Sequence, residues 1–217
     1  MIKGIVFDMD GVIFDTERLS TEGWMKAGQE IGIDIPREFI MSYKGTAVGY
    51  SKQLYLDRYG ADFDYDGARA IRTAYMDSVI EKEGVPTKKG LYELLEFSRE
   101  RGLRLAVATS SHRAYAERLL RMAGIYELFD AVVYGDSVEK SKPDPDIFLK
   151  AIAQLQLTPE ECFIIEDSTS GIRAGNASGA SVIHIPDQVN VEEELRRSCY
   201  AVLDDLSQVI SVVEKKN

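Results

Sequence analysis

The alternation of short apolar runs with helical segments constrains the fold more than any other feature of this chain. Six runs typical of strands lie at 2–7, 103–108, 129–134, 162–165, 182–185 and 200–203. Runs such as Phe163-Ile164-Ile165 show no alternation of apolar and polar residues, which suits strands that are buried on both faces. Strands that alternate with helices predict an α/β fold, a doubly wound parallel sheet with helices on both sides.

Residues 16–85 interrupt this alternation, because they contain helical patterns and no strand pattern. Leu19, Trp24, Ala27 and Ile31 form an apolar stripe at helical spacing, and Ser51 is placed to cap a later helix. The sequence therefore predicts two domains. Residues 1–15 and 86–217 form an α/β core domain, and residues 16–85 form an all-helical domain inserted after the first strand.

Composition and charge exclude several classes of function. The chain has 217 residues and a net charge of -10, whereas nucleic-acid-binding proteins need a basic surface. No apolar run approaches the roughly 20 residues that cross a bilayer. Cys162 and Cys199 fit no metal-binding spacing. We therefore expect a cytoplasmic protein, monomeric by default, without nucleic-acid or membrane partners.

Two acidic residues follow the first apolar run directly. Asp8 and Asp10 are spaced by two, the period of a strand, and Gly11 then allows a sharp turn. Adjacent carboxylates repel each other unless a cation lies between them or one of them is protonated. The pair predicts either a divalent metal or a carboxyl group with a shifted pKa. A strand that ends in solvated, loop-forming Asp residues remains the alternative.

Polar residues follow three further strands, and in a parallel sheet the carboxyl ends of the strands form one edge. They are Thr109, Ser110 and Ser111 after the second strand, Lys142 beyond the third, and Glu166 and Asp167 after the fourth. Each group has a structural alternative, such as helix capping, a solvated loop lysine or turn formation. Together they supply carboxylates for Mg²⁺, hydroxyls, and a lysine that can hold a phosphoryl group. The set favours phosphoryl chemistry.

These segments resemble the four motifs of the haloacid dehalogenase superfamily, in its phosphatase and β-phosphoglucomutase-like branch. The motifs fall in family order and span nearly the whole chain. They are Phe7-Asp8-Met9-Asp10-Gly11-Val12, Ala108-Thr109-Ser110-Ser111, the segment from Lys140 to Phe148 that contains Lys142, and Ile165-Glu166-Asp167-Ser168 with Gly171.

The resemblance implies a role for each motif residue. Asp8 attacks phosphorus, and Asp10 protonates the leaving oxygen and then activates water. Thr109, the amide of Ser110, and Lys142 hold the phosphoryl oxygens. Mg²⁺ is bound by Asp8, Asp167 and the backbone carbonyl of Asp10, with Glu166 as a ligand or as an anchor for its waters. The helical domain resembles a cap that closes over the site and selects a small phosphate ester.

The choice between phosphatase and hexose phosphomutase depends on the cap. The β-phosphoglucomutases carry a histidine, an arginine and a lysine where this chain has Ser20, Val48 and Asp77. These departures favour hydrolysis of a phosphate monoester, such as a sugar phosphate, over the mutase reaction. Lys44 can supply some positive charge to the cap, and Ser111 matches a phosphate-contacting serine of the mutases. The remaining substrate or cap candidates are Thr16, Ser20 and Thr46.

Overall fold

The protein is described from a computed structural model, which covers residues 1–44, 48–188 and 190–217, with only the backbone of residues 48 and 49. The chain divides into two compact units. One consists of Met1–Asp15 and Thr87–Asn217, and the other of Thr16–Pro86. Pro86, which we expected in the core domain, belongs to the helical unit. Thr46 and the side chain of Val48, both considered in the sequence, lie outside the described residues.

The core unit contains a six-stranded, all-parallel sheet. Its strands are β1 (Gly4–Phe7), β2 (Arg104–Ala108), β3 (Ala131–Val133), β4 (Cys162–Glu166), β5 (Ser181–His184) and β6 (Ala201–Val202). Their order is β3-β2-β1-β4-β5-β6, so β1 lies between β2 and β4. The carboxyl ends of these central strands therefore lie side by side. The predicted α/β fold class is confirmed.

Helices cover the sheet because its strands are apolar on both faces. The helices of the core unit are α5 (Leu91–Glu100), α6 (Arg113–Met122), α7 (Asp146–Gln154), α8 (Thr169–Ala177), α9 (Glu193–Arg197) and α10 (Ser207–Lys216). Helix α7 packs on β1, β2 and β3, and α8 packs on β4 and β5. Val6 and Ile164 face this layer. Ile5 and Phe163 are also fully buried, and they point to the opposite face because strand side chains alternate.

The second unit is entirely helical in its described residues. It contains α1 (Thr16–Ile31), α2 (Arg37–Tyr43), α3 (Val48–Tyr59) and α4 (Tyr65–Glu83), with α1 packed along α4. Its core is an aromatic cluster that includes Trp24, Tyr55 and Tyr65. No helix in the described part of the chain combines the length and apolar character needed to cross a membrane.

The expected start of α3 was wrong. We predicted that Ser51 caps this helix, but the helix begins at Val48 and Ser51 lies within it. The Ser51 hydroxyl lies 3.2 Å from the Tyr65 hydroxyl inside the aromatic cluster. The hydroxyl therefore serves packing between helices. An acidic residue caps the next helix instead, since the Asp64 side chain accepts a hydrogen bond from the Gly67 amide.

Candidate active site

A tight loop after β1 positions the two acidic residues. The amides of Ile13 and Phe14 both donate to the Met9 carbonyl, at 2.9 and 3.0 Å, and the Gly11 amide donates to the Phe14 carbonyl at 2.8 Å. Gly11 has a φ of +92°, a region that favours glycine. The loop leaves Asp8 buried and Asp10 partly exposed. Although both acids follow the same strand, they are in different environments.

Lys142 connects the carboxyl ends of three strands. Its ammonium donates to Oδ1 of Asp8 at 2.5 Å, to Oε1 of Glu166 at 2.8 Å and to the Ala108 carbonyl at 3.1 Å. The side chain is only 5% exposed. A buried ammonium needs acceptors for its three protons, and these three groups supply them. The lysine therefore fixes the ends of β1, β2 and β4 relative to one another.

Asp8 has more negatively charged neighbours than positively charged ones. The pKa of Asp8 is raised to about 8, because the effects of burial and of the negative charges of Glu166 and Asp10 outweigh the lowering effect of Lys142. The pKa of Lys142 is raised above its ordinary value because the Asp8 and Glu166 carboxylates outweigh the effect of its burial. Lys142 is thus a permanent cation, and Asp8 stays ionised most readily when further positive charge is close to it.

The carboxylate of Glu166 is held in place from two sides. While Oε1 accepts from Lys142, Oε2 accepts hydrogen bonds from the amides of Asp167 and Ser168 and from the Ser168 hydroxyl, at 2.9, 2.9 and 3.0 Å. A side chain at Gly171 would overlap this carboxylate. Both oxygens of Glu166 therefore already have donors, an arrangement that favours an anchoring role over direct metal binding.

The segment after β2 is held by a neighbouring loop. The Thr109 amide donates to the Val133 carbonyl at 3.0 Å, and the Thr109 hydroxyl accepts a hydrogen bond from the Ser111 amide at 3.0 Å. The Gly135 amide donates to the Ser111 carbonyl at 3.0 Å. A Cβ atom at Gly135 would collide with the Ser110 carbonyl. The loop after β3 therefore determines where Thr109 and Ser110 present their polar groups.

Ser111 contacts Asp10 directly. Its hydroxyl donates to Oδ2 of Asp10 at 2.8 Å, across 101 positions of sequence. We expected Ser111 as a substrate contact, whereas the structure gives its hydroxyl a partner within the core unit. The bond orients one acid of the pair, while Lys142 orients the other.

The chemistry of the buried acids fits a divalent cation. Asp8 is 7% exposed, Asp167 is 3% exposed, and Lys142 is the cation that the described structure places on Asp8 and Glu166. The Asp167 carboxylate lies against the loop backbone, since a Cβ at Gly11 would be 2.5 Å from its Oδ2. Among the described residues, no three His, Cys, Asp or Glu side chains meet closely enough to hold a metal alone. Two carboxylates, a backbone carbonyl and waters are the expected donors for Mg²⁺.

The helical unit contains a polar cavity of its own, of about 240 Å³. Ser20, Lys44 and Arg72 line it. Lys44 is 4% exposed and donates to the backbone carbonyl and the carboxylate of Glu17, so its charge is locally compensated. Arg72 donates from Nε to the Ser20 hydroxyl at 3.1 Å, and its guanidinium lies 6.0 Å from the Trp24 ring. Thr16, another candidate, is the buried first residue of α1.

Sequence reasoning missed three features of these sites. Arg72 lies outside every motif found in the sequence, so it was not identified as a candidate site residue. The Ser111–Asp10 bond joins residues that are distant in sequence. Asp187 lies near Asp167 and Gly11, and a Cβ at Gly11 would be 3.2 Å from its Oδ2. Asp187 follows the end of β5 by three residues, so the search for polar residues after strands could have identified it as a site residue.

The core unit thus carries buried carboxylates and a lysine at the carboxyl edge of a parallel α/β sheet, and the chain also contains an inserted helical unit. The family model for haloacid dehalogenase-like hydrolases matches residues 2–179. The chain belongs to this family, which confirms the resemblance.

Known relatives span most of the chain. It is 31% identical to the fructose-1-phosphate phosphatase YqaB of Escherichia coli, over 84% of this chain and 95% of that one. It is 29% identical to the β-phosphoglucomutase of Bacillus subtilis, over 85% and 83% of the two chains. The structure of CbbY from Rhodobacter sphaeroides in complex with phosphate matches with a TM-score of 0.79 and 27% identity, over 96% of each chain.

Proposed function

We propose that this protein hydrolyses a small phosphate monoester, such as a sugar phosphate, through an aspartyl phosphate on Asp8, with Mg²⁺ as cofactor. The observation that carries the proposal is the division of the two acids. Asp8 is held by Lys142 in a buried position, and Asp10 is held by Ser111 in a more open one. A buried nucleophile beside a more accessible acid and base is the arrangement that this chemistry requires.

The reaction takes place in two displacements at phosphorus. In the first, an oxygen of Asp8 forms a bond to phosphorus, the ester P–O bond breaks, and the leaving oxygen takes a proton from Asp10. In the second, Asp10 accepts a proton from water as the water oxygen bonds to phosphorus. The bond between phosphorus and Asp8 then breaks, which releases inorganic phosphate and restores the enzyme.

Other residues hold the phosphoryl group during both steps. Thr109 and the Ser110 amide are proposed to bind its oxygens, where charge develops in the transition state, and Lys142 is proposed to exchange one of its three acceptors for a phosphoryl oxygen. Asp8, Asp167 and the Asp10 carbonyl are proposed to hold Mg²⁺, with Glu166 as an anchor. When bound, Mg²⁺ supplies positive charge to the phosphoryl oxygens and favours the ionised form of Asp8.

A hexose phosphomutase is the second candidate, because this chain is 29% identical to a β-phosphoglucomutase. The positions at which the mutases carry cations have Ser20, Val48 and Asp77 here. Arg72 adds a cation to the helical unit beside Ser20, but it is not at one of those positions. We therefore place hydrolysis first. Formation of a sugar-phosphate isomer with a bisphosphate activator would favour the mutase.

We also propose that the helical unit selects the substrate through the cavity that Ser20, Lys44 and Arg72 line. Thr16 and Thr46 remain candidates for the same role. The proposed setting is a cytoplasmic monomer, consistent with the free thiols of Cys162 and Cys199. Gel filtration with light scattering tests the oligomeric state.

The experiment for the proposed function is a screen of phosphate release from a broad panel of metabolite phosphate esters. Mg²⁺ should support release from at least one sugar phosphate or related ester, and chelation should abolish it. Absence of release from every ester, or release unaffected by a chelator, would contradict the proposal.

A further inference from the structure

Asp187 has one carboxylate oxygen that is satisfied and one that is not. Oδ1 accepts a hydrogen bond from the Lys88 ammonium at 2.7 Å, and the Asp187 side chain is 7% exposed. Oδ2 is buried and has no hydrogen-bond partner within the described part of the chain. A buried acceptor without a donor costs free energy, so such an atom usually has a role. A purely structural ion pair explains only Oδ1.

The unsatisfied oxygen faces the acidic edge of the sheet. A Cβ atom built on Gly11 would lie 3.2 Å from Oδ2 of Asp187 and 2.5 Å from Oδ2 of Asp167. Both oxygens therefore approach the same side of the Gly11 backbone. Carboxylates that face each other across such a space repel unless positive charge or a donor lies between them.

Lys88 fixes the position of this carboxylate. Its amide donates to the Ile13 carbonyl at 2.9 Å, which attaches Lys88 to the loop that follows β1. Its ammonium then reaches Oδ1 of Asp187. The side chain is thus anchored from the same loop that carries Asp8 and Asp10.

We propose that Asp187 is an outer-sphere residue of the cation site, whose Oδ2 accepts a hydrogen bond from a water molecule bound to Mg²⁺. This inference rests on the proposed function, which supplies the cation. Direct ligation is not supported, because no three acids among the described residues are close enough to hold a metal. Mg²⁺ keeps several waters when proteins bind it, and residues that orient such groups affect metal affinity. Asp187 is therefore a positioning residue.

The test measures Mg²⁺ binding to the full-length protein without substrate, by calorimetry and by the rise in melting temperature that MgCl₂ produces. Asp187→Asn should weaken Mg²⁺ binding about ten-fold or more, and the Mg²⁺-induced rise in melting temperature should shrink accordingly. Asp187→Ser also removes the carboxylate and should give the same loss, so the test does not depend on one variant folding.

Two control variants separate this role from general effects. Asp205→Asn removes another poorly exposed acid that pairs with a lysine, since Asp205 lies 2.7 Å from Lys89. Asp136→Asn removes a negative charge from a loop at the same edge of the sheet, after β3. Both should bind Mg²⁺ within about two-fold of the parent, because Asp205 pairs with Lys89 and Asp136 accepts a hydrogen bond from the Arg113 amide.

Two results would overturn the inference in different ways. If the parent binds Mg²⁺ and the folded Asp187 variants bind it within about two-fold, Asp187 has no outer-sphere role and the proposed function stands. If the parent itself binds no Mg²⁺, the inference and the metal-dependent function fail together.

Discussion

The Ser111 hydroxyl donates a 2.8 Å hydrogen bond to Oδ2 of Asp10, which ties the loop after β2 to the loop after β1. Since Asp10 is the proposed acid and base, the hydroxyl positions the group that moves the proton. Ser111→Ala should lower kcat about ten-fold, because a poorly oriented acid protonates the leaving group less efficiently. Steady-state kinetics on the ester found in the screen measures this effect.

A matched control for Ser111 is Ser98→Ala, which removes a buried hydroxyl bonded to the Leu94 carbonyl within α5. Its kcat should equal that of the parent. Ser111→Thr, which keeps a hydroxyl, should recover much of the rate. An Ala variant with unchanged kcat would show that Asp10 needs no orientation by Ser111.

Removal of Lys142 should affect both stability and activity. In Lys142→Met the buried carboxylates of Asp8 and Glu166 lose their shared cation, which should lower the free energy of unfolding by about 3–5 kcal/mol. Phosphate release should fall below detection. Urea unfolding of the metal-free protein checks the first effect. Lys3→Met, which removes an exposed ion pair with Glu161, should change stability by less than about 1 kcal/mol. Equal stabilities of the two variants would contradict this account of Lys142.

Arg72 should influence substrate binding more than the chemical steps. It lines the cavity of the helical unit and bonds to Ser20. Arg72→Gln should raise KM about ten-fold with a smaller change in kcat, because the proposed role of Arg72 is to bind a part of the substrate that does not react. The control is Lys52→Gln, which removes an exposed cation paired with Asp66 in the same unit. A larger effect on kcat than on KM would contradict this role.

The lowered pKa of Asp205 predicts that the free energy of unfolding depends on pH. Its hydrogen bonds from Lys89 and Ser207 lower the pKa of its carboxyl to about 2 from an ordinary 3.8. A lowered pKa stabilises the folded state above the unfolded value, and this stabilisation is lost as the pH falls from about 4 towards 2. Because Lys89 is exposed, Asp205→Asn should cost only about 1 kcal/mol at pH 7.

Urea unfolding of parent and Asp205→Asn at pH 7, 5 and 3 measures this dependence. The difference between the two proteins should be constant at pH 7 and 5 and smaller at pH 3. Asp66→Asn, at an exposed ion pair, provides the comparison. If the difference in free energy of unfolding were the same at all three pH values, the ionised carboxylate of Asp205 could not be its source.

The sequence predicted the elements and the edge of the sheet where the polar residues meet. Strand β2, Arg104–Ala108, lies within the predicted run at 103–108, because a short apolar run is a local signal. The start of α3 was wrong because Ser51 makes a contact with Tyr65, which no local pattern encodes. Local patterns therefore indicate where an element lies, whereas a contact between residues distant in sequence can change the role expected of a single side chain.

The same distinction applies to the site. Spacing after strands marked Asp8, Lys142 and Glu166, which the structure brings into contact. The Ser111–Asp10 bond depends on side-chain rotamers at two strand ends, and spacing does not determine these. Asp187 was missed because its partner Lys88 is 99 positions away, so no motif joins them.

Asp8 is the proposed nucleophile, and chemical trapping of the phosphorylated residue tests this role directly. Borohydride reduces an aspartyl phosphate to homoserine, which peptide mass spectrometry can locate. With substrate and Mg²⁺ we expect homoserine at position 8, and none when substrate is omitted or in Asp8→Asn. Steady phosphate release with no homoserine, or homoserine at another residue, would contradict the central claim.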